Sequence, residues 1–118
     1  MIDLIKNYWN TRPCNINHSK KEIGSLEYFN EVDYKRYFVE PHILKFADFD
    51  NQNNKKILEL GCGIGTDSIR FVKAGALLTT IDLSEKSVEL TKKRFKQYNL
   101  TASIHCGNIE NLSSFIPP

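Results

Sequence analysis

Long apolar runs are what this sequence most obviously lacks. None approaches the roughly 20 residues that a membrane-spanning helix requires. The opening MIDLIKNYWN carries an acid and two amides where a secretory signal needs a basic start and a long apolar core. Both absences point to a soluble, cytoplasmic chain. Cysteine is scarce and scattered: Cys14, Cys62 and Cys106 are odd in number and form no C-x-x-C, so a disulfide framework is not expected. Cys14 with His18, and the adjacent His105 and Cys106, have no further ligand at a usual zinc spacing, and no metal site is expected. Excess charge of one sign is missing too. A formal net charge of +2 on 118 residues, with 41% hydrophobic and 25% charged residues, is ordinary globular composition. It gives no reason to expect nucleic acid or an anionic membrane as partner. The one basic run, KKRFK at 92–96, reads as a solvated helix face. Repeats and low-complexity tracts are absent, and the length suits about one domain.

Glycine is sparing as well, which makes its clustering informative. Three of the 6 glycines, Gly61, Gly63 and Gly65, fall at alternate positions in ILELGCGIGTD, directly after an apolar run. A chain gives up side chains like that where its backbone must turn tightly or come close to something.

The surrounding grammar places this loop. An N-terminal segment, 1–50, reads as helical. DLIKNYW forms a short helix that Arg12-Pro13 ends, because the residue before proline avoids the helical region. Ser25 caps a second helix whose apolar face is Leu26, Phe29, Val32, Phe38 and Val39. Pro41 suits the first turn of a third, PHILKFADF. The polar DFDNQNNKK then connects to a second segment, 55–118, of alternating strands and helices. There KILEL is a strand, and GTDSIRFVKAG a helix stopped at Gly75. LLTTID is the next strand, with β-branched residues and a terminal acid. Ser84 caps EKSVELTKKRFKQY, with Leu83 and Val88 at the positions of a hydrophobic staple. Asn99 closes that helix in a left-handed turn, and TASIHC is the last strand. This order predicts an α/β fold with a parallel sheet and right-handed crossovers.

In such a sheet ligands bind beyond the carboxyl ends of the strands. The glycine loop opens the helix after the first strand, offering backbone N–H groups and a positive dipole end. Asp82 ends the second strand, where a carboxylate accepts hydrogen bonds from a ribose diol. An adenosine-containing ligand is expected. A dinucleotide fingerprint would need glycine at Thr66, and a P-loop would end in G-K-[ST]; neither is present. Glu59, just before the glycines, disfavours a phosphate and favours a cation. S-Adenosylmethionine carries a sulfonium and an ammonium, and its carboxylate can use the loop's N–H donors. Plainer readings stand beside these: Glu59 as a buried acid paired with Lys55 or Arg70, and Asp82 as a cap-region acid near Ser84. The aromatic run Tyr28, Phe29, Tyr34, Tyr37 and Phe38 reads as helix core rather than pocket, and His18, His42 and His105 have no catalytic role assigned.

ILELGCGIGTDSIRF followed by TTIDLSEKSVELTKKRF resembles the first two motifs of the class I S-adenosylmethionine-dependent methyltransferases, and HCGNIENLSSF is similar to their third. The N-terminal YWNTRPCNINHSKKEIGSLEYFNEVDYKRYFVEPHILKF resembles the leading helices of a subgroup of them. This resemblance implies a Rossmann-like fold and S-adenosylmethionine as cofactor. It places the methionine part against Gly61, Cys62 and Gly63, counts Gly65 among the cofactor-binding residues, and has Glu59 orienting the loop or meeting the amino group. Asp82 holds the ribose and Leu83 packs on adenine. Asn108, where the family has an aspartate, and Ile109 meet the adenine edge. Tyr8, Trp9 and Arg12 form a lid over the cofactor. The full family fold has seven strands, ordered 3-2-1-4-5-7-6, and this sequence supplies the first three, a fold truncated after the third parallel strand. The later strands carry the acceptor pocket and any general base, so no catalytic residue and no methyl acceptor is assigned. KILEL, an interior strand in the family, becomes an edge here. Either the chain is one piece of a longer product, or it self-associates or takes a partner chain over that edge, or it is a remnant. Two functions follow: a methyltransferase whose cofactor half is present, and a non-catalytic S-adenosylmethionine-binding or interaction module. A dehydrogenase is opposed by Thr66.

Overall fold

The computed structural model describes residues 1–13 and 15–114. Cys14, and residues 115–118 with the end of the third motif, lie outside the described residues. Three helices come first: α1 (Ile2–Thr11), α2 (Leu26–Val39) and α3 (His42–Ala47). Helix α1 stops at Arg12, whose φ of −136° leaves the helical region ahead of Pro13. Ser25 caps α2, its hydroxyl accepting the Tyr28 N–H at 3.1 Å. The backbone at Pro41 is already helical where α3 begins, and a left-handed Asp48 (φ 49°) ends that helix before Phe49. A 3₁₀ turn, Phe49–Asn51, follows.

The apolar face of α2 is narrower than its sequence suggests. Tyr28, Phe29 and Val32 are completely buried, while Leu26, Phe38 and Val39 are exposed. Phe38 lies six residues beyond Val32, about 240° round the helix, and so faces away from the core. It stacks instead on the equally exposed Tyr34, with ring centroids 6.0 Å apart.

The sheet follows as β1 (Lys56–Leu60), α4 (Thr66–Lys73), β2 (Leu77–Asp82), α5 (Glu85–Gln97) and β3 (Ser103–Cys106). A 3₁₀ segment, Ile109–Ser114, comes after it. The strands are all parallel in the order β1-β2-β3, with Glu59 beside Thr80 and Asp82 beside Cys106. Both crossover helices cover one face. Ile57, Leu78 and Ile104 share that face by register and pack with Ile69 of α4 and Phe95 of α5. Gly75 and Asn99, the expected helix stops, both take positive φ (92° and 53°).

A second core joins the N-terminal helices to this unit at the glycine loop. Tyr28, Phe29 and Val32 of α2 meet Ile64 of the loop and Leu90 of α5. Beside them the fully buried Arg94 of α5 pairs with Asp33 of α2 and lies 4.8 Å from the Phe29 ring centroid. Taking Arg94 out of water is costly without that partner, so the pair sets how α2 lies on α5.

The opposite face of the sheet is open near β1. Leu58, Leu60 and Leu77 are 44%, 50% and 58% exposed. The β1 edge is open as well. Leu77 N–H donates to the Lys55 carbonyl at 2.8 Å and Gly61 N–H to the Ile81 carbonyl at 2.7 Å. The two-residue alternation of a parallel ladder therefore directs the backbone groups of Lys56, Leu58 and Leu60 away from β2. Among the described residues no helix is long and apolar enough to cross a membrane.

Candidate functional site

The glycines at the end of β1 all adopt positive φ: 83° at Gly61, 56° at Gly63 and 84° at Gly65. Their surroundings differ. A Cβ on Gly61 would meet nothing within 4 Å, whereas one on Gly65 would stand 3.1 Å from the Thr91 methyl of α5. Gly61 thus presents bare backbone to open space, and Gly65 seats the loop on the next helix. The N–H groups that the sequence offers to a ligand carboxylate are already taken at the glycines. Gly61 donates to Ile81, Gly65 donates to the Cys62 carbonyl at 3.0 Å, and Gly63 donates to Asp82 Oδ2 at 3.0 Å. The first is the last rung of the β1–β2 ladder, the second closes the turn, and the third ties the loop to the acid that ends β2. Thr91 completes the clamp by donating its hydroxyl to the Gly63 carbonyl at 3.0 Å. Burial pushes the Cys62 thiol up to about 12, so it packs as a neutral group.

Asp82 stands across from this loop. Its second oxygen accepts the Ser84 N–H at 2.8 Å, so the acid serves the helix start and the loop together. Glu59 pairs with neither Lys55 nor Arg70. Its Oε1 accepts the Thr80 hydroxyl at 2.8 Å and also the Ser68 hydroxyl. Burial raises the Glu59 pKa, against the lowering effect of those two hydroxyls. Arg70 instead sits over the Tyr37 ring, 4.5 Å from its centroid.

A third acid arrives from the first turn of α4. Asp67 is gripped by Arg36 of α2, through Nε at 3.0 Å and Nη2 at 2.7 Å, and by the Tyr37 hydroxyl at 2.8 Å. Burial, then the Asp67 carboxylate, raises the pKa of that phenol. Arg36 Nη1 also reaches Glu40 at 3.3 Å.

These groups surround one cavity of about 390 Å³, within the size range of small-molecule sites. Of the residues expected from sequence, Glu59, Gly61, Cys62, Gly63, Asp82, Leu83 and Ile109 line it. Gly65 and Asn108 are not in the lining. Gly65 packs on Thr91, and the Asn108 side-chain oxygen accepts the Glu110 N–H at 3.0 Å, capping the 3₁₀ segment. Trp9 lines the cavity together with Ile5, which the sequence did not single out. Tyr8 and Arg12 are exposed and outside the lining. Helix α1 is held there by polar contacts. Asn10 Oδ1 accepts the Lys86 N–H at 3.2 Å and lies 2.9 Å from the Ser84 hydroxyl, and Lys6 pairs with Glu85 at 2.8 Å. Arg36 and Asp67 also line the cavity and were missed. Their only sequence signals are a cation inside an aromatic-rich helix and an acid in a first turn, and no local pattern links positions 31 residues apart. Among the described residues no group of three or more His, Cys, Asp or Glu comes together to hold a metal.

A parallel α/β unit with a glycine loop after its first strand and a carboxylate after its second, both on one cavity, is the arrangement of a Rossmann-like fold. The methyltransferase domain family matches residues 57–116, just over half of the chain, and the chain belongs to that family. A ubiquinone biosynthesis O-methyltransferase of Coxiella burnetii is 31% identical over 78 residues, covering 65% of this chain and 33% of the relative. The crystal structure of magnesium protoporphyrin IX methyltransferase from Synechocystis PCC 6803, with bound SAH, superposes with a TM-score of 0.66 at 18% identity, covering 92% of this chain and 52% of that one. Geranyl diphosphate C-methyltransferase from Streptomyces coelicolor A3(2) gives a TM-score of 0.63 at 16% identity, covering 92% and 47%. The chain spans about a third of the length of the curated relatives it matches. Its three parallel strands and N-terminal helices match the corresponding part of the methyltransferase fold.

Proposed function

We propose that the cavity binds S-adenosylmethionine and that the chain is the cofactor-binding part of a methyltransferase. The observation that carries this reading is the pairing of bare backbone at Gly61 with Asp82 across one cavity, bridged by the Gly63 N–H. The donor set fits the ligand. A carboxylate has about four acceptor positions. Two of those on Asp82 are filled by backbone N–H groups, leaving capacity for a ribose diol. Both hydroxyls on Glu59 go to Oε1, which leaves Oε2 for the ligand's ammonium. Leu83 and Ile109 supply apolar surface for the adenine. When bound, S-adenosylmethionine supplies an activated methyl group, whose bond to sulfur breaks as the acceptor's nucleophile attacks its carbon. The contribution of these residues is to hold that carbon in place, the larger part of such catalysis. In the family's architecture later strands present the acceptor.

Calorimetric titration with S-adenosylmethionine and S-adenosylhomocysteine tests this. Wild type is expected to bind both, and Asp82→Ala to weaken both by tenfold or more, through loss of a charge-assisted ribose contact of about 1.5–3 kcal/mol. No binding by a folded wild-type sample would overturn the cofactor reading.

A further inference from the structure

We propose that Arg94 and Asp33 are positioning residues for the cofactor cavity: the buried pair fixes the glycine loop through Thr66, and does so at a cost in stability. The inference rests on the cofactor reading above and deepens it. Neither residue lines the cavity, so both act through others. Arg94 has no exposed surface, and burying a guanidinium is expensive unless its N–H groups are matched. They are matched only in part. Nη2 pairs with Asp33, and Nη1 reaches the Thr66 hydroxyl at 3.5 Å, beyond the usual range for a strong hydrogen bond. Among the described residues, Arg94 Nε and Asp33 Oδ1 are buried without a partner. An apolar pair of similar volume would fill this place at least as stably. What the charged pair adds is direction.

That direction is toward the loop. Thr66 opens α4 directly after Gly65, and it lines the cavity. It is also the residue that departs from the dinucleotide fingerprint, and its hydroxyl offers Arg94 an acceptor that glycine lacks. Thr91 lies three residues before Arg94, on the same side of α5, and donates its hydroxyl to the Gly63 carbonyl at 3.0 Å. One face of α5 therefore clamps the loop twice, at Gly63 and at Thr66, while Leu90 and Ile64 join one apolar cluster beside it. Helix α2 adds a second hold. Asp33 fixes the Arg94 fork from behind, and one turn further on the Tyr37 hydroxyl lies 3.3 Å from the Thr66 carbonyl. Gripped from two helices, the loop has its geometry set before a ligand arrives, which lowers the ordering cost of binding.

The double variant Asp33→Leu/Arg94→Met replaces the pair by apolar side chains of similar size. Its thermal midpoint is expected to equal or exceed that of wild type. Its affinity for S-adenosylhomocysteine, by calorimetric titration, is expected to fall by about threefold to thirtyfold, the range for residues that act on a site without touching its ligand. Without ligand, amide hydrogen exchange at residues 61–66 is expected to quicken in this variant while β1 and β2 exchange as in wild type. Unchanged affinity would overturn the proposal, and so would a loop that exchanges no faster than in wild type. A midpoint well below wild type, with exchange raised throughout the chain, would assign the pair to the fold rather than the loop and would overturn it too. Arg94→Lys keeps a cation beside Asp33 without the fork, and is expected to bind with intermediate affinity. Wild-type affinity in Arg94→Lys would rule out the route through Thr66, and this variant decides the matter should the double variant fail to fold. Wild type binding neither S-adenosylmethionine nor S-adenosylhomocysteine would overturn the cofactor reading instead, and the exchange comparison would still decide the role of the pair.

Discussion

At the residue scale Glu59 shows how a site acid is kept at the expense of stability. Its carboxylate lies among the hydroxyls of Ser68 and Thr80 with no cation of the described residues bonded to it, and burial raises its pKa. The folded state then holds the Glu59 proton more tightly than the unfolded chain does. The resulting stabilisation is full below the unfolded carboxylate value of about 4.3 and is lost as the pH rises through the folded-state value. Glu59→Gln keeps an acceptor for both hydroxyls and removes the charge. We expect its thermal midpoint to exceed that of wild type at pH 7, the difference shrinking toward pH 4, while its affinity for S-adenosylmethionine falls. Circular-dichroism melts across that pH range check the first part, and a lower midpoint for the variant at pH 7 would contradict it. An acid in an apolar strand before a glycine loop was visible in the sequence. Its partners were not, because charge pairing nominates nearby cations such as Lys55 and Arg70, whereas the fold turns Ser68 and Thr80 onto it.

At the element scale the glycine loop divides into a face for the cavity and a face for α5. Alanine at Gly61 is opposed only by the positive φ, since its Cβ meets nothing within 4 Å. The expected cost is about 1–2 kcal/mol, with weaker cofactor binding because the methyl stands in the cavity. Alanine at Gly65 bears the same backbone cost and also crowds Thr91, whose Cγ2 would be 3.1 Å away and Oγ1 3.2 Å away. We expect Gly65→Ala to cost at least about 1 kcal/mol more than Gly61→Ala, in keeping with overpacking of a filled site. Urea unfolding of the two variants measures the difference, and equal costs would show that Thr91 yields freely. Glycine at alternate positions marked the loop in the sequence. Which glycine faces the cavity depends on where α5 packs, and α5 begins some twenty residues later. Helix α2 teaches the same point: the sequence reading put Leu26, Phe38 and Val39 on the apolar face, but only Tyr28, Phe29 and Val32 of that helix join the cluster with Ile64 and Leu90.

At the scale of the whole molecule the β1 edge and its open face are the conspicuous unfinished surface. The backbone groups of Lys56, Leu58 and Leu60 point away from the sheet, and Leu58, Leu60 and Leu77 are all substantially exposed. Edges of this kind attract further strands. The 118-residue chain prepared alone is expected to self-associate through this surface, and Leu58→Lys to reduce that association by adding a charge to it. Sedimentation velocity across a concentration series distinguishes the outcomes. A clean monomer at every concentration, unfolding in one sharp transition, would overturn the expectation.

The sequence by itself determined the order of strands and helices, the parallel sheet, the glycine loop with Asp82, and the likeness to methyltransferases. Each is written in local signals: apolar runs of strand length, capping residues, and glycines where the backbone must turn. What only the tertiary structure decided is which side chains share the cavity. Arg36, Asp67, Ile5 and Trp9 enter it from four separate places along three helices. The glycine N–H groups are engaged because the ladder, the turn and the end of β2 bring Ile81, Cys62 and Asp82 to them. Local spacing specifies the backbone path, whereas contacts across many residues exist only once that path has closed on itself.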